Sequence, residues 1–429
     1  MKLSVTGEIR VPGDKSITHR ALMLAAAAQG ESRLSGLLSG ADCQSTASAL
    51  RALGCDVPSI PANGGDLRVT GRGLDEWRAP AGWIDCGNSG TTARLLLGLL
   101  AGRPFPATLT GDASLRKRPM RRVSGPLTAM GARFEELGEA DRLPMVIHGG
   151  VLRSHEHRSP KASAQVKSAM LLAGLSGGVA VRVQEPLQSR DHTERMLRWL
   201  GVELDEHACG DGWTVALTPP ADPLPPLDVR VPGDFSSAAF FVALATLAGA
   251  GELRIRGVGV NPTRTGLLRV LQRMGGQITL EAPGEQGGEP TADLLVGPGR
   301  LTGTCVDAAE IPSLIDEVPV LAVLAARAEG DTTITGAAEL RVKESDRIQT
   351  IVQNLRALGG DAEELPDGLV VRGTDRPLRG RVQTRGDHRI AMAFGVLAAH
   401  PENQIEVDDL PAADVSFPGF WELLRRVVK

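Results

Sequence analysis

The sequence has no excess of positive charge, no long apolar segment and few lysines or cysteines. Its formal net charge of −4 argues against a protein that covers nucleic acid or an acidic membrane surface. No apolar run approaches the roughly 20 residues that a membrane-spanning helix needs. Met1–Leu3 leads directly into an alternating strand pattern, so we expect no secretory signal. Any cationic site must therefore be local.

The cysteines are scattered and include no Cys-X-X-Cys pair. They are Cys43, Cys55, Cys86, Cys209 and Cys305. Dispersed thiols in odd number are typical of a reducing compartment, so we expect free thiols in a cytoplasmic protein. Only seven of the 47 basic residues are lysines. Arginine suits two-point binding of phosphate and carboxylate groups, although genome composition explains the same bias equally well.

The stretch VPGDKSITHR, residues Val11–Arg20, contains the first candidate site. A Pro-Gly pair ends a short strand pattern, and an Ala- and Leu-rich helix follows. Lys15, Ser16 and Arg20 are then predicted to lie in the first turns of that helix, where the macrodipole is already positive. An anion bound there would explain the placement of the cations. A solvated first turn is the alternative.

The opening motif recurs as VPGD at Val231–Asp234, and it belongs to a longer repeat. Six units of about 70 residues, each with two helices and several short strands, begin near positions 11, 85, 160, 231, 311 and 385. Each helix is apolar almost all round, which predicts that it is buried. The pattern predicts two pseudo-symmetric α/β domains of three units, connected through the Pro-rich stretch Pro219–Asp228.

The second repeat places small polar residues and arginines at a helix start. In Gly87–Thr92 the sequence GNSGTT would let backbone N–H groups approach an anion closely, and Arg94 lies one turn further on. A plain helix cap is the alternative. Arg116–Pro119, together with Arg121 and Arg122, forms the densest cationic cluster, for which a solvated surface is the usual interpretation.

The third repeat opens an apolar helix with Ser163, Gln165 and Lys167, and Arg190 and His192 follow its strand. His192 fits either a helix cap or a core position. The start of this helix therefore carries polar residues unlike those of the other repeats.

The fifth and sixth repeats contain carboxylates among cations. Asp316 and Glu317 stand in an otherwise apolar helix start, where carboxylates seldom occur unless they are paired or catalytic. Lys343 and Arg347 are predicted to share a helical face at i,i+4, which a common dianion would explain. Neutralisation by the intervening carboxylates is the alternative. Arg389 again lies at a predicted helix N-terminus.

Two other patterns lack the required context. Gly174–Gly178 fits the Gly-X-Ser-X-Gly pattern but lies where a helix is predicted to end, whereas a nucleophile elbow joins a strand to a helix. His155–His157 could supply one side of a metal site, but no third ligand is near in sequence, and an exposed loop is expected there.

Taken together, these residues resemble the 5-enolpyruvylshikimate-3-phosphate synthase family along essentially the whole chain. The matching motifs, in order, are PGDKSITHRALMLAA, GNSGTTARLLLGLLAG, LRKRPM, SAQVKSAMLLAG, SRDHTERML, NPTRTG, LIDEVPVLA, LRVKESDRI, GDHRIAM and SFPGF. The resemblance implies the enolpyruvyl transferase fold, with two inside-out α/β barrel-like domains, each of three βαβαββ repeats. It also implies domains of residues 14–229 and of residues 1–13 plus 230–429, linked by two crossovers.

The resemblance implies transfer of the enolpyruvyl group of phosphoenolpyruvate to the 5-hydroxyl of shikimate 3-phosphate, with release of phosphate. It implies no metal and no organic cofactor, and we expect a monomer without nucleic-acid or membrane partners. The implied shikimate 3-phosphate ligands are Lys15, Ser16, Arg20, Ser163, Gln165, Arg190, Asp316 and Lys343. The implied phosphoenolpyruvate ligands are Lys15, Gly90, Arg94, Arg118, Gln165, Arg347 and Arg389. The implied catalytic residues are Asp316, Glu344 and Lys15.

Three residues depart from the family pattern. Ala164 stands where many members have a second serine, Glu339 replaces an asparagine of some relatives, and Val415 stands where some members have a lysine that contacts phosphoenolpyruvate. Gly90 matches the small residue that the family associates with sensitivity to glyphosate, so inhibition competitive with phosphoenolpyruvate is expected.

Two other functions fit parts of the pattern. UDP-N-acetylglucosamine enolpyruvyl transferase shares the fold and donor, but it opens with a Lys-Asn pair and has a cysteine in a mobile loop. This chain has Lys15 followed by Ser16, and residues 103–125 contain no cysteine. A non-catalytic repeat scaffold that binds anions is the second alternative, and it would leave Asp316 and Glu344 without a role.

Overall fold

The computed structural model describes residues 3–210 and 212–429. The chain forms two compact units. The N-terminal unit comprises Gly13–Val231 with Gln286–Glu289, and the C-terminal unit comprises Met1–Pro12, Pro232–Glu285 and Pro290–Lys429. The assignment of Gln286–Glu289, the tip of a hairpin, to the N-terminal unit has no counterpart in the sequence analysis.

The α-helices of the described residues occur as two in each predicted repeat. In chain order they are α1 (Lys15–Ala27), α2 (Ala41–Ala52), α3 (Gly90–Ala101), α4 (Arg121–Met130), α5 (Ala164–Gly177), α6 (His192–Trp199), α7 (Phe235–Thr246), α8 (Gly266–Met274), α9 (Val318–Ala325), α10 (Arg347–Ala357), α11 (His388–Ala398) and α12 (Phe420–Val427). None of these helices combines the length and hydropathy needed to cross a lipid bilayer.

The strands are short and lie between the helices. They are β1 (Gly7–Ile9), β2 (Gln29–Ser35), β3 (Leu67–Arg72), β4 (Ile84–Asp85), β5 (Pro106–Thr110), β6 (Arg133–Glu136), β7 (Met145–His148), β8 (His155–Arg158), β9 (Val181–Glu185), β10 (Leu204–Cys209), β11 (Gly212–Leu217), β12 (Asp228–Arg230), β13 (Leu253–Gly259), β14 (Gln277–Gln286), β15 (Glu289–Gly297), β16 (Cys305–Val306), β17 (Asp331–Ile334), β18 (Asp361–Leu365), β19 (Gly368–Arg372), β20 (Arg379–Val382) and β21 (Gln404–Val407).

Within the described part of the chain, each unit contains three small sheets. The N-terminal unit has the orders β12-β2-β3, β4-β5-β7-β6 and β10-β11-β9-β8, and the C-terminal unit has β1-β13-β15-β14, β16-β17-β19-β18 and β20-β21. Every one of these sheets has a parallel pair at one edge, such as β4 with β5, β16 with β17 or β8 with β9. In five sheets antiparallel strands follow, as β7 does beside β5. The repeat predicted from the sequence is therefore a structural repeat.

The first helix of each repeat is buried inside its unit. In the N-terminal unit α3 packs against α5, and Gly98 permits the close approach because a Cβ there would lie 2.2 Å from the carbonyl oxygen of Ala169. In the C-terminal unit every residue of α7 and of α9 is buried. Uniformly apolar helices have no face that prefers water, so neighbouring helices and strands cover them.

Two sequence predictions about local structure are wrong. The second helices of the repeats are amphipathic, since α12 buries only Phe420, Leu424 and Val427, which lie on one stripe. His155–His157 belong to β8, which pairs in parallel with β9, and not to an exposed loop. By contrast, Gly178 in the left-handed conformation ends α5, so the Gly-X-Ser-X-Gly match lies at a helix end, as predicted.

Candidate functional site

The start of α1 holds its candidate residues by a cap and a salt bridge. Asp14 Oδ1 accepts a hydrogen bond of 2.9 Å from the backbone N–H of Ile17, which fixes the first turn. The Lys15 ammonium group pairs with the carboxylate of Asp42 on α2. Lys15 is therefore anchored beside the helix terminus where an anion was predicted.

Arg20 lies one turn deeper and is buried. Its guanidinium donates hydrogen bonds to Thr193 Oγ1 (2.6 Å), Ser168 Oγ (2.8 Å) and the carbonyl oxygen of Ser16 (2.9 Å). Burial lowers the pKa of Arg20 to about 10, so the group stays cationic at neutral pH. These contacts fix the guanidinium beneath the α1 terminus.

The start of α3 brings two guanidinium groups over a glycine. Ser89 Oγ accepts a hydrogen bond of 3.1 Å from the N–H of Thr92 and caps the helix. A Cβ at Gly90 would lie 2.6 Å from Arg94 Nη1 and 3.5 Å from Arg118 Nη1. Gly90 is thus the residue that leaves room for both arginines.

Gln165 at the start of α5 connects these arginines to a third. Gln165 Oε1 accepts hydrogen bonds from Arg94 Nη1 (3.0 Å) and Arg122 Nη2 (3.3 Å), and its amide donates to Thr91 Oγ1 (3.1 Å). Arg122 was grouped with a solvated cluster on sequence grounds. Its contact with Gln165 instead places it in the candidate site.

Arg118 is oriented by residues that the sequence analysis did not single out. Its Nη2 donates a 2.7 Å hydrogen bond to Asn88 Oδ1, and Asn88 Nδ2 donates in turn to Asp112 Oδ2 at 2.6 Å. Asn88 was visible as the polar member of the GNSGTT turn. No sequence pattern indicated Asp112, because its role depends on β5 placing it beside the GNSGTT turn.

Lys167 differs from its neighbours Ser163 and Gln165. Ser163 caps α5 through the N–H of Val166, whereas the Lys167 side chain is 0% exposed and lies 3.0 Å from Glu185 and 2.7 Å from Glu194. Lys167 is therefore paired within the core.

His192 is likewise buried. Its ring Nδ1 lies 2.7 Å from Glu289 Oε1. Of the two positions that the sequence left open for His192, the core position applies, and Asp191 takes the cap position of α6.

In the C-terminal unit, Asp316 lies among four cations. Asp316 lies in the short 3₁₀ turn Ile315–Glu317, immediately before α9. Its carboxylate oxygens lie near Arg347 Nη1 (3.5 Å), Arg264 Nη1 (3.8 Å), Lys343 Nζ (3.9 Å) and Arg389 Nη2 (3.9 Å). The structure therefore gathers residues from separate repeats around one carboxylate.

Lys343 and Arg347 do not share a helical face, which corrects the i,i+4 prediction. Asp346 caps α10 by accepting a 3.0 Å hydrogen bond from the N–H of Gln349, so the helix begins at Arg347 and Lys343 lies before it in a turn. The two cations are adjacent because both approach Asp316. Burial lowers the pKa of Lys343 despite the opposing effect of Asp316.

Arg347 is fully buried and bound by carboxylates. Its Nε lies 2.8 Å from Asp387 Oδ2 and its Nη2 lies 2.7 Å from Glu344 Oε2. Burial alone would lower the pKa of Arg347, but the charges of Asp387 and Glu344 outweigh it and raise the pKa. The alternative that intervening carboxylates neutralise the cations therefore holds for Glu344.

Glu317 and Arg264 form a supporting layer beside Asp316. Arg264 Nη2 donates to Ser236 Oγ at 2.8 Å and to Asp234 Oδ1 at 3.2 Å, and the Ser236 hydroxyl donates to the buried carboxylate of Glu317. Arg264 was present in the NPTRTG motif, but no role followed from the sequence. Glu317 is a paired core residue.

The two sets of residues suit different chemistry. The arginines around Gly90 and Gln165 present guanidinium groups of the kind that bind phosphate and carboxylate oxygens. Asp316 and Glu344 are carboxylates held among cations, as proton transfer beside anionic substrates requires. Within residues 3–210 and 212–429, no group of three or more His, Cys, Asp or Glu side chains could hold a metal ion.

Comparison with known proteins gives a consistent result. Residues 2–424 match the sequence profile of EPSP synthase (3-phosphoshikimate 1-carboxyvinyltransferase). The 3-phosphoshikimate 1-carboxyvinyltransferase of Desulfitobacterium hafniense is 51% identical over 425 residues, covering 99% of this chain and 96% of the relative. That of Gloeobacter violaceus is 50% identical over 424 residues, covering 99% and 96%.

Solved structures agree with the sequence comparison. The EPSP synthase of Acinetobacter baumannii superimposes with a TM-score of 0.85 at 38% identity, covering 100% of this chain and 98% of the other. The enolpyruvyl transferase NikO of Streptomyces tendae shares the fold, with a TM-score of 0.75 at 18% identity and coverage of 99% and 96%. The six structural repeats, the grouped arginines and these matches together show that the chain belongs to the EPSP synthase family.

Proposed function

We propose that the protein transfers the enolpyruvyl group of phosphoenolpyruvate to the 5-hydroxyl of shikimate 3-phosphate and releases phosphate. Membership of the EPSP synthase family supports this activity. The observation that carries the mechanism is the Asp316 carboxylate, which lies within 3.5–3.9 Å of four cationic side chains. A carboxylate so placed can take a proton beside a polyanionic substrate while the cations hold the phosphate and carboxylate groups.

The proposed acceptor ligands combine cations with hydroxyl and amide groups. Arg20, fixed by Ser168 and Thr193, supplies a preorganised guanidinium, and Ser163 and Gln165 supply hydrogen-bonding groups at the start of α5. Preorganised donors lose little conformational entropy on binding. The full proposed set for shikimate 3-phosphate is Lys15, Ser16, Arg20, Ser163, Gln165, Arg190, Asp316 and Lys343.

The proposed donor ligands are mainly arginines. Arg94 and Arg118 lie over Gly90, which leaves space for the phosphate of phosphoenolpyruvate beside them. We add Arg122, because it shares Gln165 Oε1 with Arg94. The remaining proposed ligands for phosphoenolpyruvate are Lys15, Gln165, Arg347 and Arg389.

The proposed reaction is an addition followed by an elimination. Glu344 is protonated and Asp316 ionised when the substrates are bound. Asp316 accepts the proton of the 5-hydroxyl as the hydroxyl oxygen bonds to C2 of phosphoenolpyruvate, and Glu344 protonates C3, so that the methylene becomes a methyl group. In the second step the C2–O bond to phosphate breaks and the phosphate leaves with the proton that Asp316 took up, while Glu344 takes a proton back from the methyl group and the double bond is restored. Lys15 shares the proton transfers, and the arginines stabilise the phosphate that leaves.

We further propose a cytoplasmic monomer that needs no metal or organic cofactor and binds neither nucleic acid nor membranes. Free thiols and an acidic net charge support this assignment. The UDP-N-acetylglucosamine enolpyruvyl transferase activity is not favoured, since the sequence relatives are named 3-phosphoshikimate 1-carboxyvinyltransferase.

The test is a phosphate-release assay with phosphoenolpyruvate and each acceptor in turn. Release that requires shikimate 3-phosphate, and that does not occur with UDP-N-acetylglucosamine, is the expected result. Release with UDP-N-acetylglucosamine alone, or no release with either acceptor, would refute the proposed function.

A further inference from the structure

A buried ion cluster lies behind the start of α5 in the N-terminal unit. It consists of Lys167 and two carboxylates, Glu185 at the end of β9 and Glu194 on α6, and none of the three side chains is more than 1% exposed. Burying charges is costly unless they are paired and hydrogen-bonded, so a fold retains such a cluster only where the contacts are well formed.

Glu185 differs from Glu194 because it also accepts hydrogen bonds from Ser163 and Ser189. Its Oε1 accepts a 2.7 Å hydrogen bond from the backbone N–H of Ser163, the cap residue of α5. Both of its oxygens lie within hydrogen-bond distance of the Ser189 hydroxyl, at 2.9 and 2.7 Å, and Oε2 also accepts from the Ser189 N–H at 3.4 Å. One carboxylate therefore joins two separate segments of the chain.

Both segments carry proposed ligands of shikimate 3-phosphate. Ser163 is itself a proposed ligand, and Ser189 immediately precedes Arg190 in the connection between β9 and α6. Lys167 adds a third link, because its ammonium group donates to the carbonyl oxygen of Ser189 at 3.2 Å. The spacing between the α5 cap and the Arg190 segment thus depends on Glu185 and its ion pair with Lys167.

We infer that Glu185 is a positioning residue for shikimate 3-phosphate, which fixes Ser163 and the Ser189–Arg190 segment at the separation that the substrate requires. This inference rests on the proposed function. Glu185 does not touch the substrate in this scheme; it acts through the groups that it holds. Its loss should therefore weaken binding of shikimate 3-phosphate and leave the phosphoenolpyruvate ligands on α3 in place.

The test compares two changes at Glu185 with one at Glu194. Glu185→Asp keeps the charge beside Lys167 but withdraws the carboxylate by about 1.5 Å, the length of one carbon–carbon bond. Glu185→Gln keeps the size and removes the charge. Glu194→Gln is the matched control, because it makes the same change in the same cluster at a carboxylate that pairs with Lys167, whereas Ser163 and Ser189 donate to Glu185. Burial raises the pKa of Glu194, so a neutral side chain is tolerated there more readily.

The measurements are the Kd of shikimate 3-phosphate by calorimetry, the KM of each substrate, kcat and the melting temperature. Both Glu185 variants are expected to raise the Kd and KM for shikimate 3-phosphate by about tenfold or more, as loss of a charge-assisted hydrogen bond implies. Their KM for phosphoenolpyruvate should change by less than about threefold, and Glu194→Gln should leave both values within about threefold of wild type.

Unchanged affinity for shikimate 3-phosphate in Glu185→Asp would overturn the inference, and so would an equal effect of Glu194→Gln. Failure of Glu185→Asp to fold would overturn it as well, since the residue would then serve the core alone. A failure of the proposed function gives a different result. In that case the wild-type protein itself would not bind shikimate 3-phosphate.

Discussion

Arg347 Nε donates a hydrogen bond of 2.8 Å to Asp387 Oδ2, and neither side chain is more than 1% exposed. Asp387 also caps α11, because its other oxygen accepts from the N–H of Arg389 at 2.9 Å. The pair therefore connects the starts of α10 and α11, the helices of two different repeats. A buried pair of this kind is costly to break from one side.

Asp387→Asn is expected to lower the free energy of unfolding by about 3–5 kcal/mol, because it leaves a buried guanidinium without its main partner. Urea denaturation at pH 7 measures the loss. Asp361→Asn is the control, since Asp361 pairs with Arg372 at the surface and its loss should cost less than about 1 kcal/mol. Equal effects of the two changes would contradict the prediction.

The same pair predicts a dependence on pH. Burial alone would raise the pKa of Asp387, but the charge of Arg347 outweighs it and the pKa lies below its ordinary value. The pair therefore stabilises the fold above about pH 4, the ordinary pKa of aspartate, and this stabilisation is lost as the pH falls further. The difference between wild type and Asp387→Asn should shrink below that pH. A constant difference in urea titrations down to pH 3 would contradict this.

Asp316→Asn and Glu344→Gln are expected to lower kcat by about 10²- to 10⁴-fold, the usual range for loss of a general acid or base. Substrate binding should persist, because both changes keep the size of the side chain. Phosphate release and calorimetry of shikimate 3-phosphate binding measure the two effects. Glu310→Gln, which removes a carboxylate paired with Arg273, serves as the control. Wild-type turnover in both site variants would refute the catalytic assignment.

Gly90→Ala tests the packing of the arginines at the start of α3. The new Cβ would lie 2.6 Å from Arg94 Nη1, so the guanidinium must move. We expect the KM for phosphoenolpyruvate to rise by about tenfold, equivalent to about 1.4 kcal/mol. Inhibition by glyphosate, which we expect to be competitive with phosphoenolpyruvate in the wild type, should weaken in parallel.

Gly125→Ala is the matched control for that change, because a Cβ there meets nothing within 4 Å. Initial-rate measurements at several concentrations of phosphoenolpyruvate and of glyphosate give the KM for phosphoenolpyruvate and the inhibition pattern. Glyphosate inhibition that is unaffected by phosphoenolpyruvate would contradict the expected competition, and an unchanged KM in Gly90→Ala would contradict the steric argument.

His19 provides a prediction about acid stability. It is fully buried, and its Nδ1 lies 2.6 Å from Thr46 Oγ1. Burial, aided by the charge of Lys15, lowers the pKa of His19 to about 3. The unfolded chain therefore takes up this proton near pH 6.5, before the folded protein does, and stability falls as the pH drops from about 6.5 towards 3.

The loss from His19 approaches about 1.4 kcal/mol per pH unit within that window. His19→Gln should flatten the dependence of unfolding free energy on pH between 7 and 5, measured by urea denaturation. His207→Gln, a change at an exposed histidine, should leave the slope as in the wild type. Identical slopes in His19→Gln and the wild type would contradict the prediction.

The sequence predicts the local elements well where one signal dominates. The Pro-Gly stop before Lys15 places the start of α1 correctly, and uniform apolarity correctly predicts the burial of α7 and α9. The start of α10 is missed, because the i,i+4 spacing of two cations does not show where a helix begins. Asp346 took the cap position, and Lys343 was left outside the helix.

Contacts between distant residues could not be predicted from the chain alone. Lys167 has the same helical context as Gln165. Lys167 is a core residue because β9 and α6 pack beside it and bring Glu185 and Glu194 to its ammonium group. Arg122 and Asp112 likewise acquire their roles from tertiary placement. Spacing along a helix indicates which side chains share a face, but not which carboxylate another repeat brings to meet them.

The pairing of β1 with β13 has a consequence for biosynthesis. The segment Gly7–Ile9 is synthesised long before its partner, which begins only at Leu253. Completion of the N-terminal unit likewise waits for Glu289, which meets His192. Because domains ordinarily fold in the order of their synthesis, the nascent chain must keep β1 unpaired until Gly13–Val231 of the N-terminal unit and β13 have been synthesised.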